Sequence, residues 1–398
     1  MQRLSRIKQL AHTYIVFPSA HHTRLEHSLG TLCLAGRICD RLKLTKNQKQ
    51  IVRLAALLHD VGQGPFSHIW EEPMRSINGE DFSHEDVTRL LIENEPQIGK
   101  ALGKYKKEVI SLFEEDSLSS DIVSSSMDVD KLDYLRRDSY HTGVAYGQFD
   151  IERVIHTICK IPEAKREYLA VLEKGKDALE SYRLARYSMH IQVYEHHTRL
   201  IADDMFLKAV KLSLEDGCID KEKLKVSNDA NKFIEYYLQL DDYAIQHQIL
   251  QFGKEIPRDL INSVRNRQLW KRALEVPLTK EGIPSAIKRE KIIRMSRNEI
   301  QKVENEIAEE LKIDPAYVVV HLQSVKIKLY ERFEEMLGKK EKPIYVKKRD
   351  GNVSSFDEES PITASLNPIR RLYVFCPKKY VSSAKKIATD KLELESPT

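Results

Sequence analysis

Apolar residues recur at spacings of three and four over most of residues 1–215, which is the period of a helix with one buried face. The period is clear in LGTLCLAGRICDRL, IVRLAALL, VTRLLIE, IERVIHTICKI and LIADDMFLKAVKLSL. Glycine, proline and serine gather between such runs, as in GQGPFSH and SINGEDFSH, and predict that helices end there. Ser83, followed by acidic residues, predicts a helix N-cap. The pattern therefore predicts almost continuous helix up to about residue 215.

The pattern changes toward the C-terminus. Residues 216–310 keep a helical period but are more polar, and they end in a long amphipathic helix. Beyond Pro315, YVVVHL and RRLYVFC predict strands, KPIYVKKRDGNVSSF predicts a strand pair, and SAKKIATDKLEL predicts a final helix. We therefore expect a mainly α chain: an all-helical core over 1–215, a helical extension over 216–310, and a small α+β C-terminal domain over 311–398.

Charge and cysteine content exclude several classes of protein. The chain has 64 basic and 60 acidic residues and a net charge of +4, which gives no general case for a nucleic-acid or membrane surface. Its five cysteines are scattered and have neither metal-knuckle spacing nor the pattern of a disulfide framework. No secretion signal and no apolar run of membrane-spanning length is evident. These features favour a cytoplasmic protein.

The segment HDVGQGPFSH, residues 59–68, follows directly after an apolar helix. Burial of His59 and Asp60 is costly unless they are paired or bind a metal. Two adjacent residues can face one ion where a helix ends, and their nitrogen and oxygen ligands suit Mn, Fe, Zn or Mg. A single His–Asp doublet is also compatible with chance, and two ligands do not complete a site.

Two other segments offer further ligands. His27 begins an apolar helix in RLEHSLGTLCLAGRI, where the alternative is an exposed cap. In MDVDKLDYLRRDSYH, a helix would place Asp130, Tyr134, Arg137 and Asp138 on one face, and the alternative is a solvated charged helix.

A third segment, ARYSMHIQVYEHH, spaces Arg186, His190 and Tyr194 four residues apart. On a helix they would form a stripe of cationic and aromatic side chains. Such a stripe is either a satisfied helix surface or one that faces a phosphate and a base.

Taken in order, five segments resemble those of the HD-domain phosphohydrolases, and among them the deoxynucleoside triphosphate triphosphohydrolases. They are QRLSRIKQL, VFPSAHHTRLEHSLG, LLHDVGQGPFSH, SHED and MDVDKLDYLRRD. The resemblance is densest over residues 2–200 and continues loosely through NRQLWKR and RLYVFCPKK. It implies an all-helical HD-domain core that binds a divalent metal, one of Mn, Mg, Fe or Zn.

The resemblance also implies a role for individual residues. The metal ligands would be His27, His59, Asp60 and Asp130. The catalytic histidines and their acidic partner would be His68, His84 and Glu85. The substrate-binding residues would be Arg24, Lys131, Tyr134 and Arg186 for the triphosphate, Gln9, Leu10, Asp138 and Tyr194 for the sugar, and His190 near the base.

The implied reaction is attack of water at the α-phosphorus of a deoxynucleoside triphosphate, which yields deoxynucleoside and inorganic triphosphate. The implied partners are this substrate, an activating nucleotide and further copies of the chain in a dimer or tetramer, with no membrane or nucleic acid. Three departures leave activation and assembly open: Gln63 stands where the family has histidine, Ser5 where animal relatives have arginine, and the relatives' upstream segment is missing.

Two alternatives remain at this level. The first is an HD-type hydrolase of a nucleoside monophosphate or another phosphate ester, which would need fewer cations than Lys131 and Arg186 together supply. The second is a catalytically weak HD protein that binds nucleotide or nucleic acid without turnover. The complete set of four metal ligands and the near-neutral net charge argue against the second.

Overall fold

A computed structural model of the chain describes residues 1–162, 166–226, 229–324, 343–364, 366 and 370–394. The chain divides into two compact units. The first comprises Met1–Met189, Asp220–Gln248 and Lys328–Leu366, and the second comprises His190–Ile219, Ile249–Ile327 and Asn367–Thr398. The domain boundaries near residues 215 and 310 stay a prediction.

Helices dominate both units, which confirms the mainly α fold class. The helices are α1 Arg24–Arg41, α2 Lys46–Leu58, α3 Glu71–Asn78, α4 His84–Asn94, α5 Pro96–Leu102, α6 Lys106–Glu114, α7 Leu118–Val123, α8 Val129–Thr142, α9 Ile151–Thr157, α10 Lys176–Met189, α11 His197–Glu215, α12 Ala230–Tyr237, α13 Asp242–Phe252, α14 Glu255–Arg265, α15 Ala286–Ile293, α16 Arg297–Leu311, α17 Phe356–Glu359, α18 Pro361–Ala364 and α19 Val381–Lys391. The strands are β1 Ile158–Pro162, β2 Glu167–Leu172, β3 Lys271–Pro277, β4 Val319–Ser324, β5 Tyr345–Lys347, β6 Val353–Ser355 and β7 Arg370–Cys376. Among the described residues, none of the helices combines the length and the apolar character needed to cross a bilayer.

The first two helices begin at capping boxes, where an N-cap threonine and a side chain three residues later exchange hydrogen bonds with the backbone. The backbone N–H of Thr45, for example, donates to Oε1 of Gln48 at 3.0 Å. The two helices pack against each other, and Thr31 Oγ1 of α1 donates to the carbonyl of Ala56 on α2 at 2.8 Å. Because α2 ends at Leu58, the His–Asp doublet lies at a helix end, as the sequence predicts.

The first unit contains a sheet that the helical period did not predict. Its strand order is β1-β2-β5-β6, with β1 and β2 antiparallel and β2 and β5 parallel. The helical prediction was therefore wrong for residues 158–161, although it holds for α9 just before them. The β-branched side chains of Ile158, Ile161 and Val171 are buried in this sheet. Cross-strand pairing outweighs the local period here. The strand pair β5–β6 was correctly predicted.

The second unit is built on an antiparallel sheet with the order β3-β7-β4. Val374 of β7, Ile307 of α16 and Ala384 of α19 are fully buried in one hydrophobic cluster. The predictions of β4, β7, α16 and α19 are confirmed. Strand β3 was missed, because it lies inside the region that was predicted to be helical throughout.

The stripe of Arg186, His190 and Tyr194 does not lie along a single α-helix. Arg186 belongs to α10, which ends at Met189, and His190–Tyr194 form a π-helical turn. A π-helix closes its hydrogen bonds over five residues, so the helix type changes at Met189. His190 and Tyr194 nevertheless lie side by side, with ring centroids 5.1 Å apart.

A buried polar contact joins α11 to β4 in the second unit. His321 Nδ1 donates to Oδ2 of Asp204 at 2.9 Å, and Gln323 Nε2 donates to Oε2 of Glu195 at 3.1 Å. Burial lowers the pKa of His321, but Asp204 and Glu195 outweigh it and raise the pKa to about 9. The protonated imidazole is therefore the form that the fold stabilises.

This pKa predicts a loss of stability in alkaline solution. The pKa of His321 in the folded chain exceeds the ordinary value of 6.5, so the stabilisation is complete below pH 6.5 and is lost as the pH rises to about 9. We expect the free energy of unfolding to fall by about 2 kcal/mol over this range. Urea denaturation at pH 6, 7.5 and 9 measures this free energy, which should change less with pH in His321→Gln than in the natural chain. His247→Gln, at an exposed histidine, is the control, and equal slopes for His321→Gln and the natural chain would contradict the assignment.

Candidate metal centre

His27 lies on α1, is fully buried, and is oriented by α8. Its Nδ1–H donates to Oδ2 of Asp133 at 2.8 Å, and Arg137 binds the same carboxylate through Nε and Nη2 at 2.8 and 2.9 Å. Burial lowers the pKa of His27, but the carboxylates of Asp130 and Asp133 outweigh it and raise the pKa to about 10. A carboxylate bound to Nδ1–H directs Nε2 at the site, where binding of an ion would displace the Nε2 proton.

His59 and Asp60 follow the last residue of α2. The Nδ1–H of His59 donates to the carbonyl of Ala56 at 2.7 Å, which again leaves Nε2 as the available ring nitrogen. The carboxylate of Asp60 is buried and accepts a hydrogen bond from Arg24 Nη1 at 2.6 Å. Burial raises the pKa of Asp60, but Arg24 and the neighbouring histidines outweigh burial and hold the pKa well below its usual range.

The four ligands named from the sequence come together in the first unit. His27, His59 and Asp60 offer ligand atoms that all lie within 4.8 Å of one another. His27 Nε2 lies 3.7 Å from Asp60 Oδ2, and His59 Nε2 lies 3.6 Å from Asp60 Oδ1. Asp130 Oδ1, on the first turn of α8, lies 3.0 Å from His27 Nε2 and 3.7 Å from His59 Nε2.

The fit of this group to a divalent ion rests on two buried nitrogens. Nε2 of His27 and Nε2 of His59 are inaccessible to solvent, and the groups that they face are the carboxylates of Asp60 and Asp130. Neither nitrogen has a well-aligned hydrogen bond within the described part of the chain, and an ion bound by both nitrogens and both carboxylates would satisfy them together. Two imidazoles and two carboxylates are a donor set suited to Mn, Fe, Zn or Mg.

A second group, on α3, α4 and the 3₁₀ turn Ser67–Trp70 before α3, adjoins the ligands. Glu71 Oε1 accepts hydrogen bonds from Nδ1 of His68 at 2.9 Å and from Nδ1 of His84 at 2.7 Å. His84 Nε2 lies 3.6 Å from Asp60 Oδ1, which places this imidazole beside the ligand group. Burial lowers the pKa of His84, but Glu71 and Asp60 outweigh it and raise the pKa. The arrangement can hold a proton next to the candidate metal.

The acidic partner of these histidines differs from the one that the resemblance implied. Glu85 lies in the first turn of α4 with an exposed side chain, and its backbone N–H is bound by the Ser83 N-cap. Glu71, at the start of α3, occupies the position against both imidazoles. In the structure, the carboxylate that is hydrogen-bonded to both imidazoles is therefore that of Glu71 and not that of Glu85.

Cations predicted to bind phosphate also lie in the first unit. Lys131 follows the ligand Asp130, and its Nζ donates to Oδ2 of Asp128 at 2.8 Å. Burial lowers the pKa of Lys131, but Asp128 and Asp130 outweigh it and raise the pKa, while the charge of Arg186 acts to lower it. Arg186 also acts to lower the pKa of Tyr134, which burial raises. The three side chains therefore lie within electrostatic reach of one another.

Two further side chains contact Asp60. Arg24, a predicted phosphate-binding residue, donates to Asp60 and, through Nε, to Ser67 Oγ at 2.8 Å. Gln63, which stands where relatives have histidine, is buried and points Nε2 toward Asp60 Oδ1 at 3.4 Å. Both side chains thus support the ligand group.

The predicted sugar-binding residues are divided between the units. Gln9 and Asp138 are buried in the first unit, and Leu10 is half-buried there. Asp138 Oδ1 accepts from His22 Nε2 at 2.7 Å, whereas Gln9 Oε1 forms no hydrogen bond with any residue that the structure describes.

His190 and Tyr194 belong to the second unit. They lie on the π-helical turn, with ring centroids 5.1 Å apart in a T-shaped contact.

Sequence reasoning missed Asp133 and Glu71. Each has a local signal: Asp133 lies one helical turn after Asp130, and Glu71 lies three residues after His68. This spacing alone does not predict a role for either carboxylate, because each acts on an imidazole from another helix.

Comparison with known families agrees with this geometry. The model of the HD domain matches residues 24–138, and that of the HD associated region matches residues 149–398. The chain belongs to the HD-domain phosphohydrolases. An uncharacterised protein of Methanocaldococcus jannaschii is 29% identical to this HD-domain chain over 389 residues, which is 97% of this chain and 75% of that protein.

Two further similar proteins are named for an activity. Human deoxynucleoside triphosphate triphosphohydrolase SAMHD1 is 30% identical over 319 residues, which is 68% of this chain and 50% of that protein. The crystal structure of a phosphohydrolase from Bacteroides thetaiotaomicron shares the fold, with a TM-score of 0.73 and 24% identity. It covers 94% of this chain and 92% of the chain in that crystal structure.

The bond between Asp133 and His27 predicts the effect of a substitution on metal affinity. Asp133→Asn removes the charge that orients His27, so we expect the Mn²⁺ dissociation constant to rise by about 10- to 100-fold. Isothermal titration with Mn²⁺ measures it. Asp40→Asn removes an exposed carboxylate at the end of α1, which pairs with Lys49, and serves as the control. Equal affinities for both variants would contradict the role of Asp133.

The group of Glu71 and two histidines predicts a shift in proton affinity. Because the hydrogen bond and charge of Glu71 raise the pKa of His84, Glu71→Gln should lower that pKa, which NMR titration of the imidazole measures. Phosphoester hydrolysis at neutral pH should fall by about tenfold or more. Glu85→Gln provides the comparison, and a loss as large as that of Glu71→Gln would show that Glu85 supplies the partner.

Proposed function

We propose that this HD-domain phosphohydrolase converts deoxynucleoside triphosphates to deoxynucleoside and inorganic triphosphate. The observation that carries the proposal is the set of side chains around the four candidate metal ligands. In the same unit, two imidazoles that share a carboxylate lie beside Asp60. The mostly buried cations Lys131 and Arg186 lie near Asp130. A triphosphate ester needs both a proton donor and several cations, whereas a structural metal site needs neither.

His27, His59, Asp60 and Asp130 would hold the divalent ion. When bound, such an ion acts as a Lewis acid toward a phosphoryl oxygen and lowers the pKa of water. The donor set suits Mn, Mg, Fe or Zn. Arg24 keeps Asp60 ionised, and Asp133 keeps Nε2 of His27 directed at the site.

The histidine pair supplies the proton that the leaving group requires. Water attacks the α-phosphorus and releases one proton, and the bond from phosphorus to the 5′-oxygen breaks. An imidazole N–H of His84 or His68 donates its proton to that oxygen, and the proton released from water restores the imidazole. Glu71 orients both rings and raises the pKa of His84, so that the ring remains protonated nearer to neutral pH. Positioned proton transfer of this kind contributes roughly 10²- to 10⁴-fold to a rate.

Lys131 and Arg186 would neutralise the triphosphate, with Tyr134 beside them. Arginine binds phosphate oxygens through two parallel N–H bonds, whereas lysine binds as a point charge. The buried Oε1 of Gln9 is an acceptor suited to the 3′-hydroxyl of a deoxyribose. Leu10 and Asp138, in the same unit, complete the proposed contacts with the sugar.

The similarity to triphosphohydrolases supports this substrate class. The human relative named for that activity is similar over 68% of this chain. Assembly into a dimer or tetramer and stimulation by a nucleotide are part of the same proposal. Gln63 would stand where relatives have a histidine in the site. Its side-chain amide still donates toward the carboxylate of Asp60.

The test is to incubate metal-loaded protein with each of the four deoxynucleoside triphosphates, with one ribonucleotide, and with mixtures that allow for an activator. We expect deoxynucleoside and intact triphosphate as products, separated by ion-exchange chromatography. Release of phosphate or pyrophosphate instead would contradict cleavage of the bond between the α-phosphorus and the 5′-oxygen. Turnover of a nucleoside monophosphate alone would favour the hydrolase of simpler phosphate esters.

A variant separates the substrate class from general hydrolysis. Arg186→Ala should raise KM for the triphosphate substrate by about tenfold or more, because a charged hydrogen bond to phosphate is lost. Hydrolysis of bis(p-nitrophenyl) phosphate by the same variant is the control and should change little. Equal losses on both substrates would contradict the role of Arg186 in binding the triphosphate.

A further inference from the structure

The loop before His68 adopts a backbone conformation that its residues do not favour. Phe66 has φ of 55° and Ser67 has φ of 59°, both in the left-handed region that glycine, and not phenylalanine, normally occupies. Such strain persists only where surrounding contacts hold it. Since His68 follows directly, these contacts decide where its imidazole lies.

One carboxylate from a distant part of the chain holds this turn. Asp242 Oδ1 accepts a hydrogen bond from the backbone N–H of Phe66 at 2.6 Å. Its other oxygen, Oδ2, accepts from the backbone N–H of Lys8 at 2.9 Å. Asp242 is completely buried and lies 176 residues after Phe66 in the chain. It therefore joins the loop of His68 to the segment that carries Gln9.

A third contact closes this arrangement. Ser67 Oγ donates to the carbonyl of Lys8 at 2.8 Å and accepts from Arg24 Nε at 2.8 Å. Arg24 in turn binds Asp60 of the ligand group. A continuous set of hydrogen bonds thus runs from Asp242 through the loop to the candidate metal ligands.

The carboxylate of Asp242 does not cap the N-terminus of its own helix, α13. The N-terminus of α13 is bound by the preceding residue, since Asp241 Oδ1 accepts from the backbone N–H groups of Tyr243 and Ala244 at 3.0 and 2.9 Å. Burial of Asp242 is unfavourable for its charge and raises the pKa to about 6, although the Lys8 and Phe66 N–H groups act against this. A buried carboxylate with both oxygens on other segments acts as a connector between them.

We propose that Asp242 is a positioning residue of the reaction, which fixes the Phe66–Ser67 turn under His68 and holds it in register with the Lys8–Gln9 segment. Its effect on catalysis rests on the function proposed above. Asparagine cannot replace it, because the amide offers one acceptor where two backbone N–H groups need one each.

The test compares Asp242→Asn with Asp241→Asn by hydrogen–deuterium exchange with residue-level fragmentation. We expect the amides of Phe66 and Lys8 to exchange at least about tenfold faster in Asp242→Asn, while amides within α2 keep their rates. Asp241→Asn is the matched control, because it changes a neighbouring carboxylate that pairs with Arg6 and contacts neither segment's backbone. A merely structural role would raise exchange throughout the unit instead, and that outcome would overturn the proposal.

Steady-state kinetics provide the functional arm. Asp242→Asn should lower kcat by about 10- to 100-fold at unchanged metal content, since small displacements of a catalytic group cost this much. Asp241→Asn should remain within about twofold of the natural chain. Equal kcat values for the two variants would overturn the positioning role.

If Asp242→Asn does not fold, hydrogen–deuterium exchange of the natural chain tests the role of Asp242 instead. The Phe66 amide should then be among the slowest to exchange between residues 63 and 68, and exchange at the rate of an exposed loop would overturn the inference. This measurement needs no substrate. Failure to hydrolyse deoxynucleotides would therefore contradict the proposed function alone, and rapid exchange at Phe66 would contradict the role of Asp242 alone.

Discussion

The buried ion pair between Arg24 and Asp60 is the interaction on which the rest of the centre depends. Arg24 Nη1 and Asp60 Oδ2 lie 2.6 Å apart, and both side chains are almost inaccessible to solvent. Removing one member of such a pair leaves an uncompensated charge, typically at a cost of about 3–5 kcal/mol. The pair joins the start of α1 to the end of α2, and its arginine also binds Ser67. The carboxylate can therefore remain ionised at the edge of an apolar core, where a metal requires it.

Three imidazoles around this carboxylate are oriented in the same way, by a hydrogen bond from Nδ1–H. His27, His59 and His84 each donate Nδ1–H to an acceptor, which is Asp133, the carbonyl of Ala56 and Glu71 respectively. In each case Nε2 is left to face the carboxylates of the ligand group. The tautomer and the direction of each ring are thus set before any ligand arrives. This preorganisation explains how one small group of helices can serve both metal binding and proton transfer.

Much of the fold could be predicted from local patterns. Helix α2, its end at the His–Asp doublet, the Ser83 N-cap and the strands after Pro315 depend on periodicity and capping that neighbouring residues encode. Strands β2 and β3 could not be predicted, because β5 and β7, with which they pair, lie about 100 or more residues further along the chain. Strand β1 pairs only with its neighbour β2 among the described strands, and its local period resembles that of the helix before it. The π-helical turn after Met189 likewise leaves no trace in a spacing of four.

The sequence by itself determined which residues could bind a metal, because His27, His59, Asp60 and Asp130 stand in recognisable segments with nitrogen and oxygen ligands. Only the tertiary structure decided which groups orient them. Asp133 reaches α1 from α8, Glu71 rather than Glu85 contacts both histidines, and Asp242 binds Phe66 from 176 residues further along the chain. The physical reason is distance along the chain: a ligand's chemistry is local, whereas its orientation depends on hydrogen bonds between segments that only packing brings together.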